Sequence, residues 1–255
     1  LERARIRLDG RRDQHRLALS LSLPRQGDGT AEPDALELTL EGGLSGDVAK
    51  SGPAGLRWRG ALRELVSSGR FPARLLEPAA LELGSERIAL ADATLDAGTR
   101  GKIRLEETRW TPQEIVARGD MSGLVVDLVP RDTPRRRPQQ DPLTLAGEWD
   151  LRLGRSASGS ARIVRESGDL RIPGELTTRL GVEALEAGLQ LERGEAQLTL
   201  VARGTEFGSL SASASVGLMR GGPAGWQLNE AAPLRGDARV DAPSIAWLAR
   251  LTQQE

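Results

Sequence analysis

The sequence predicts an all-β protein: a long, mostly antiparallel sheet, apolar on one face and polar on the other, followed by one short C-terminal helix. Three observations predict it. Leucine recurs at every second position in Leu17-Ala-Leu19-Ser-Leu21-Ser-Leu23, Leu36-Glu-Leu38-Thr-Leu40, Leu143-Thr-Leu145 and Leu198-Thr-Leu200, and successive strand residues face opposite sides, so each run makes one aliphatic face. Turn signals follow at short intervals, among them Asp9-Gly10, Gly27-Asp28-Gly29, Gly42-Gly43, Pro173-Gly174 and Gly221-Gly222-Pro223, which favours antiparallel neighbours joined by tight turns. Helical spacing is rare.

In chain order, alternation predicts strands at Ile6 to Leu8, Leu17 to Leu23, Leu36 to Leu40, Ile88 to Leu95, Ile103 to Leu105 and Leu124 to Leu128. The second half adds Leu143 to Leu153, Ala161 to Ile163, Leu170 to Ile172, Leu185 to Leu191, Ala196 to Ala202, Leu210 to Leu218, Trp226 to Leu228 and Leu234 to Val240. Trp58, Leu62, Leu65 and Val66 fit a helical turn, but Trp58-Arg-Gly60-Ala-Leu62 also alternates, and a strand ending in a bulge is the preferred reading. The strings Val116-Ala-Arg-Gly119 and Val201-Ala-Arg-Gly204 are both read as strand ends. Pro130, Pro134, Pro138 and Pro142 surround Arg135-Arg136-Arg137; this spacing excludes a sheet interior and predicts a solvated connector. The expected organisation is therefore a first β segment over 1–129, a Pro/Arg-rich loop over 130–142 and a second β segment over 143–255. Pro243-Ser244 offers a helix cap ahead of Ile245, Leu248 and Leu251, which fall on one stripe.

The 255 residues carry 35 basic and 36 acidic side chains, with 38% hydrophobic and 28% charged. That composition is globular and excludes both disorder and a membrane-spanning helical protein. Charge alternates along strands without forming a basic face, so no nucleic-acid partner is expected. Lys50 and Lys102 are the only lysines and Asn229 the only asparagine, a bias read as GC-rich codon usage. With Cys 0, thiolate chemistry, disulfides and cysteine metal sites are excluded. Leu1 opens directly into a strand pattern, which reads as a piece of a longer protein.

Catalytic patterns fail one by one. Leu44 and Ala49 stand where a phosphate loop ending in Lys50-Ser51 needs glycine. Around Ser156, Ser158 replaces the closing glycine of a nucleophile elbow, and the only base, His15, lies among charged neighbours where a solvated turn histidine is expected. Glu106 and Glu107 are adjacent in a strand context and therefore point to opposite faces, so they cannot converge on one substrate atom as general acid and base. No metal or cofactor motif is present, and no enzyme is expected. The five tryptophans, Trp58, Trp110, Trp149, Trp226 and Trp247, are read as buried sheet anchors.

Several motifs stand in a familiar order: Leu145-Ala-Gly147-Glu-Trp149-Asp-Leu151, Gly168-Asp-Leu-Arg-Ile-Pro-Gly-Glu175, Leu180-Gly181, Ala232-Pro-Leu234 and Pro243-Ser-Ile-Ala-Trp-Leu248. The first half contributes Trp58-Arg-Gly60-Ala-Leu62, Leu76-Glu-Pro78, Glu106 to Trp110 and Gly119 to Leu124. This pattern resembles the C-terminal half of the TamB family, the AsmA-like component of the translocation and assembly module, from about Leu56 to Leu251. The resemblance implies a curved, groove-like sheet (a β-taco) in the periplasm, tethered to the inner membrane by an N-terminal helix outside this stretch. It also implies an outer-membrane TamA-like partner reached through the full-length protein, a role in assembling autotransporters and other outer-membrane proteins, and carriage of phospholipid between the membranes.

The residues support that expectation in their own terms. Each methylene of an acyl chain exposed to water costs about 0.8 kcal/mol, on the order of 10 kcal/mol for one chain. An apolar trough removes that barrier without nucleotide chemistry. Candidate lining residues, for acyl chains or for unfolded client strands, are Leu17, Leu19, Leu21, Leu36, Leu38, Leu40, Ile88, Leu90, Ile103 and Leu105, then Leu143, Leu145, Trp149, Leu151, Leu153, Leu189, Leu191, Leu198, Leu200, Val216 and Leu218. Alternation alone fits equally a closed β-sandwich acting as a structural spacer.

Overall fold

The computed structural model describes residues 3–23, 34–46, 55–69, 72–98, 101–126, 141–172, 178–221 and 225–243. The strands are β1 (Arg3–Gly10), β2 (His15–Leu23), β3 (Asp34–Ser45), β4 (Arg57–Ser68), β5 (Ala73–Leu75), β6 (Ala79–Gly84), β7 (Ile88–Asp96), β8 (Lys102–Trp110) and β9 (Ile115–Val125). They continue with β10 (Thr144–Leu153), β11 (Ala157–Ser167), β12 (Arg171–Ile172), β13 (Thr178–Arg179), β14 (Val182–Glu192), β15 (Glu195–Gly204), β16 (Gly208–Arg220), β17 (Trp226–Leu228) and β18 (Arg235–Asp241). No helix occurs among the described residues, and the predicted one, from Ile245 to Leu251, lies outside them.

Sixteen strands form one sheet in the order β1-β2-β3-β4-β5-β7-β8-β9-β10-β11-β14-β15-β16-β17, with β6 beside β4 and β7 and with β18 beside β16. The sheet is not closed into a barrel, and β12 and β13 make a separate small hairpin. Neighbours in sequence are mostly neighbours in space, as short turns dictate. The chain divides into two compact units, Leu1–Asp120 and Met121–Glu255.

In the first unit the aliphatic alternation is reset in midstrand. Leu38 pairs with Leu65 and Leu40 with Leu62, so Arg63 is an extra residue on β4 and the register shifts between Thr39 and Leu40. This is the bulge that the mixed spacing of Trp58, Leu62 and Leu65 called for. The next layer breaks between β5 and β6 at Leu76 to Pro78. On β7, Asp92 has φ 55°, between the pairs Ala91–Glu107 and Ala93–Leu105. These interruptions occur at matching register on successive strands, and bulges bend the strands that carry them. Leu40, Leu62, Leu75, Ala79 and Ala93 flank the line and, with Trp58, form a buried core cluster of this unit. Even-numbered Leu90 joins that core together with odd-numbered Leu95 and Leu105, so the parity does change across the line.

Other expectations change accordingly. Glu106 and Glu107 sit at the reset and pair with separate arginines, Arg104 and Arg109. Val116 to Gly119 lies inside β9, whereas Val201 to Gly204 does end β15. Strand β6, missing from the expected strands, carries the same alternation in Leu81-Glu82-Leu83, and Ala79 continues its buried face.

Candidate functional site

Register decides which side chains share a face. In the second unit, Trp149, Ala161, Leu189, Leu198, Ala214 and Gly236 are successive cross-strand partners from β10 to β18. The next row is Gly147, Ile163, Ala187, Leu200, Ala212 and Ala238, and on the other side lies Leu151, Gly159, Leu191, Ala196 and Val216. One residue along, the opposite face reads Asp150, Ser160, Gln190, Gln197, Ser215 and Arg235. The two faces thus differ in chemistry across six strands, with Val164 and Val201 as aliphatic exceptions on the polar face. Ion pairs such as Arg162–Glu186 at 2.8 Å lie on the polar face; that hydrogen bond holds the Glu186 carboxyl below its usual range, and charge attraction adds to it.

The apolar face is sealed at its two strand ends and open between them. Leu143, Leu180 and Val182 are buried at one end, with Val126, Leu145, Leu170, Leu185 and Phe207 packed on them. Ala157, Leu191 and Ala196 are buried at the other, beneath Leu151, Leu153, Leu189, Val216, Leu218 and Trp226. In the middle Leu198 is 46% exposed and Ile163 37%, large values for side chains on interior strands.

The second end is also bridged. Gly154, in the β10–β11 turn, accepts hydrogen bonds from the Arg220 guanidinium at 2.7 Å and from Trp226 Nε1 at 3.1 Å. Strands β11, β14 and β15 lie between β10 and β16, a flat separation of about 19 Å at ~4.8 Å per strand. Arg220 and Trp226 are partners aligned with Leu218 on the apolar face, so the two hydrogen bonds bridge this end of the unit on that face.

The first unit builds comparable rows: Leu8, Leu17, Leu40 and Leu62; Ile6, Leu19, Leu38 and Leu65; and Leu21 beside Leu36. Leu75, Leu95 and Ile103 align beyond them, as do Leu83, Ile88 and Trp110. Of the residues chosen from sequence, Leu40, Leu143 and Leu191 are buried core. Ile88 and Leu198 are exposed, and the others with described side chains are half-buried.

Trp58 is the buried sheet anchor expected of it, whereas its partner His15 departs from the expectation. The Trp58 indole lies over Gly42 and Gly60, where a Cβ on either glycine would come within 2.7 Å of its ring. Its Nε1 donates to His15 Nε2 at 2.9 Å. That bond requires Nε2 to be an acceptor, so the proton sits on Nδ1, which donates to the Arg11 carbonyl at 3.1 Å. His15 is thus a half-buried brace across β3, not a solvated turn residue. The signal was present in Trp58-x-Gly60 with Gly42: paired glycines leave space that a large ring covers. Trp110, by contrast, is 40% exposed and is not a buried anchor.

Close to that brace a surface pocket of about 500 Å³ is lined by Asp9, Asp13, Arg16, Glu41, Arg59 and Arg63 among others. Its charges answer one another, with Arg63 donating to Glu41 at 2.8 Å. Ser156 sits in the hairpin turn after β10, where its carbonyl accepts from Gly154 N. Among the described residues no three His, Asp or Glu side chains are grouped to hold a metal, and no helix is long and apolar enough to cross a membrane. The chain matches no family model, no curated protein and no solved structure.

Proposed function

We propose that the chain is a non-catalytic carrier of acyl chains, its apolar face serving as a groove along which phospholipid moves. The observation that carries this reading is the half-exposed apolar centre of the second unit, between two sealed strand ends. A spacer gains nothing from leaving Leu198 and Ile163 open to water, where each costs part of the 1.5–3 kcal/mol that burying such a side chain provides. The motif order, which resembles that of the TamB family, supports the periplasm, between inner and outer membranes, as the setting. There the full-length protein would work with an outer-membrane TamA-like partner and aid outer-membrane protein and autotransporter assembly.

Mass spectrometry of the gently purified chain tests this reading. Co-purifying phospholipid, lost from a folded Leu198→Asp variant, is the expected result. A lipid-free wild-type chain that also takes up no phospholipid from added vesicles would refute it.

A further inference from the structure

We propose that Arg165 and Arg220 receive the phosphate of a phospholipid, one at each end of the half-open apolar face of the second unit. The inference rests on the acyl-carrier reading above and adds the headgroup to it. Register carries that face from Leu145 to Leu153 on β10 through β11, β14, β15, β16, β17 and β18. Along all of it the residues are aliphatic, tryptophan or glycine, except Arg165 on β11 and Arg220 on β16. Arg165 partners Leu145, beside the end sealed by Leu143, Leu180 and Val182. Arg220 partners Trp226 at the opposite end.

Each guanidinium is held by one backbone carbonyl. Arg165 donates through Nε to Gly168 at 3.1 Å, and Arg220 through a terminal nitrogen to Gly154 at 2.7 Å, which leaves most of the five N–H donors of each side chain for a ligand. Neither has a carboxylate partner among the described residues, whereas Arg162, on the polar face of the same strand as Arg165, has Glu186. An aliphatic surface with an unneutralised cation at either end complements an amphiphile with an apolar tail and an anionic head, and paired guanidinium donors match phosphate oxygens. The lengths agree. Arg165 lies eight residues along β11 from Ala157, which partners Leu153 next to Gly154, about 27 Å at the ~3.4 Å rise of a strand. One leaflet's hydrocarbon is about 15 Å thick. A phospholipid docked by its phosphate at either arginine therefore lays its acyl chains over the half-exposed centre at Ile163 and Leu198.

Calorimetric titration of the whole chain with dioctanoyl phosphatidylglycerol, and with dioctanoylglycerol, which has the same chains and no phosphate, tests the assignment. Wild type should bind the phospholipid more tightly than the diacylglycerol. Arg165→Gln with Arg220→Gln, whose amides can still donate to Gly168 and Gly154, should lose about tenfold in phospholipid affinity, the factor for one charge-assisted contact, and nothing in diacylglycerol affinity. Arg165→Lys with Arg220→Lys keeps both charges and should lose clearly less, with native circular dichroism checked for every form. Phospholipid affinity unchanged in the Gln pair, an equal loss for both lipids, or an equal loss in the Gln and Lys pairs would overturn the headgroup assignment while leaving the groove standing. Dodecanoate bound through the same arginines, with no arginine dependence for the phospholipid, would overturn it in favour of a carboxylate head. A wild-type chain that binds neither lipid overturns the carrier reading and this one with it.

Discussion

Trp58 offers the sharpest stability test, because its surroundings allow a magnitude to be worked out. The side chain is 7% exposed, covers two glycines and donates to His15 at 2.9 Å. Truncation to alanine should cost about 3–5 kcal/mol, the range for a buried aromatic. Trp58→Phe keeps part of the ring but loses the indole bond, worth about 1 kcal/mol net, and should cost roughly 1–2 kcal/mol in all. Gly60→Ala would place a Cβ 2.1 Å from the Glu41 carbonyl and 2.6 Å from Gly42 Cα. Those are backbone atoms, so the overpacking cost of about 1–3 kcal/mol should persist even without the tryptophan. Urea unfolding followed by far-ultraviolet circular dichroism gives midpoint and slope together, and the slope shows whether the units unfold as one. His15→Ala and Trp58→Phe should be coupled by about 1 kcal/mol, since each removes the same bond. A cost below about 1 kcal/mol for Trp58→Ala, or no coupling in the cycle, would refute the brace.

Three further outcomes follow from the second unit. Leu143, 2% exposed, should cost about 2–5 kcal/mol as alanine, whereas half-exposed Leu198 should cost clearly less in the same urea assay; equal costs would mean that the centre is closed. Removing the Gly154 bridge with Arg220→Ala and Trp226→Phe should speed amide hydrogen exchange in the β10–β11 hairpin, and unchanged exchange would contradict the bridge. Because the Arg162 hydrogen bond lowers the Glu186 pKa, any stability from that pair is present above the ordinary glutamate range and lost as pH falls through the lowered value. Wild type and Glu186→Gln should therefore converge in unfolding midpoint in acid, and a gap widening there would contradict the sign.

Alternation in Leu17 to Leu23 and Leu198 to Leu200 was legible because a strand's period of two is local and side chains declare their face directly. Register was not legible, yet it is what aligns Trp149, Leu189 and Leu198 into one row, and it depends on partners distant in sequence. The parity reset was half legible. Trp58 to Leu65 showed the β4 bulge, but the break at Asp92 rests on a positive φ that aspartate tolerates without advertising. His15 was misread because its partner lies 43 residues away and proximity in sequence suggested only charged neighbours. Among the aliphatic candidates, sequence did not separate buried Leu143 from open Leu198. Both belong to identical Leu-Thr-Leu strings, and only end-packing by Leu180 and Val182 distinguishes them.

The central claim is that one face of this sheet is accessible to acyl chains and the other is not. Leu198 and Thr199 are adjacent on β15 and point to opposite faces. A photoactivatable side chain placed at each position in turn, in chains exposed to phospholipid vesicles, therefore tests the claim most directly. The account predicts lipid adducts from position 198 and essentially none from position 199. Equal labelling at both, or labelling at neither while lipid is present, would contradict it.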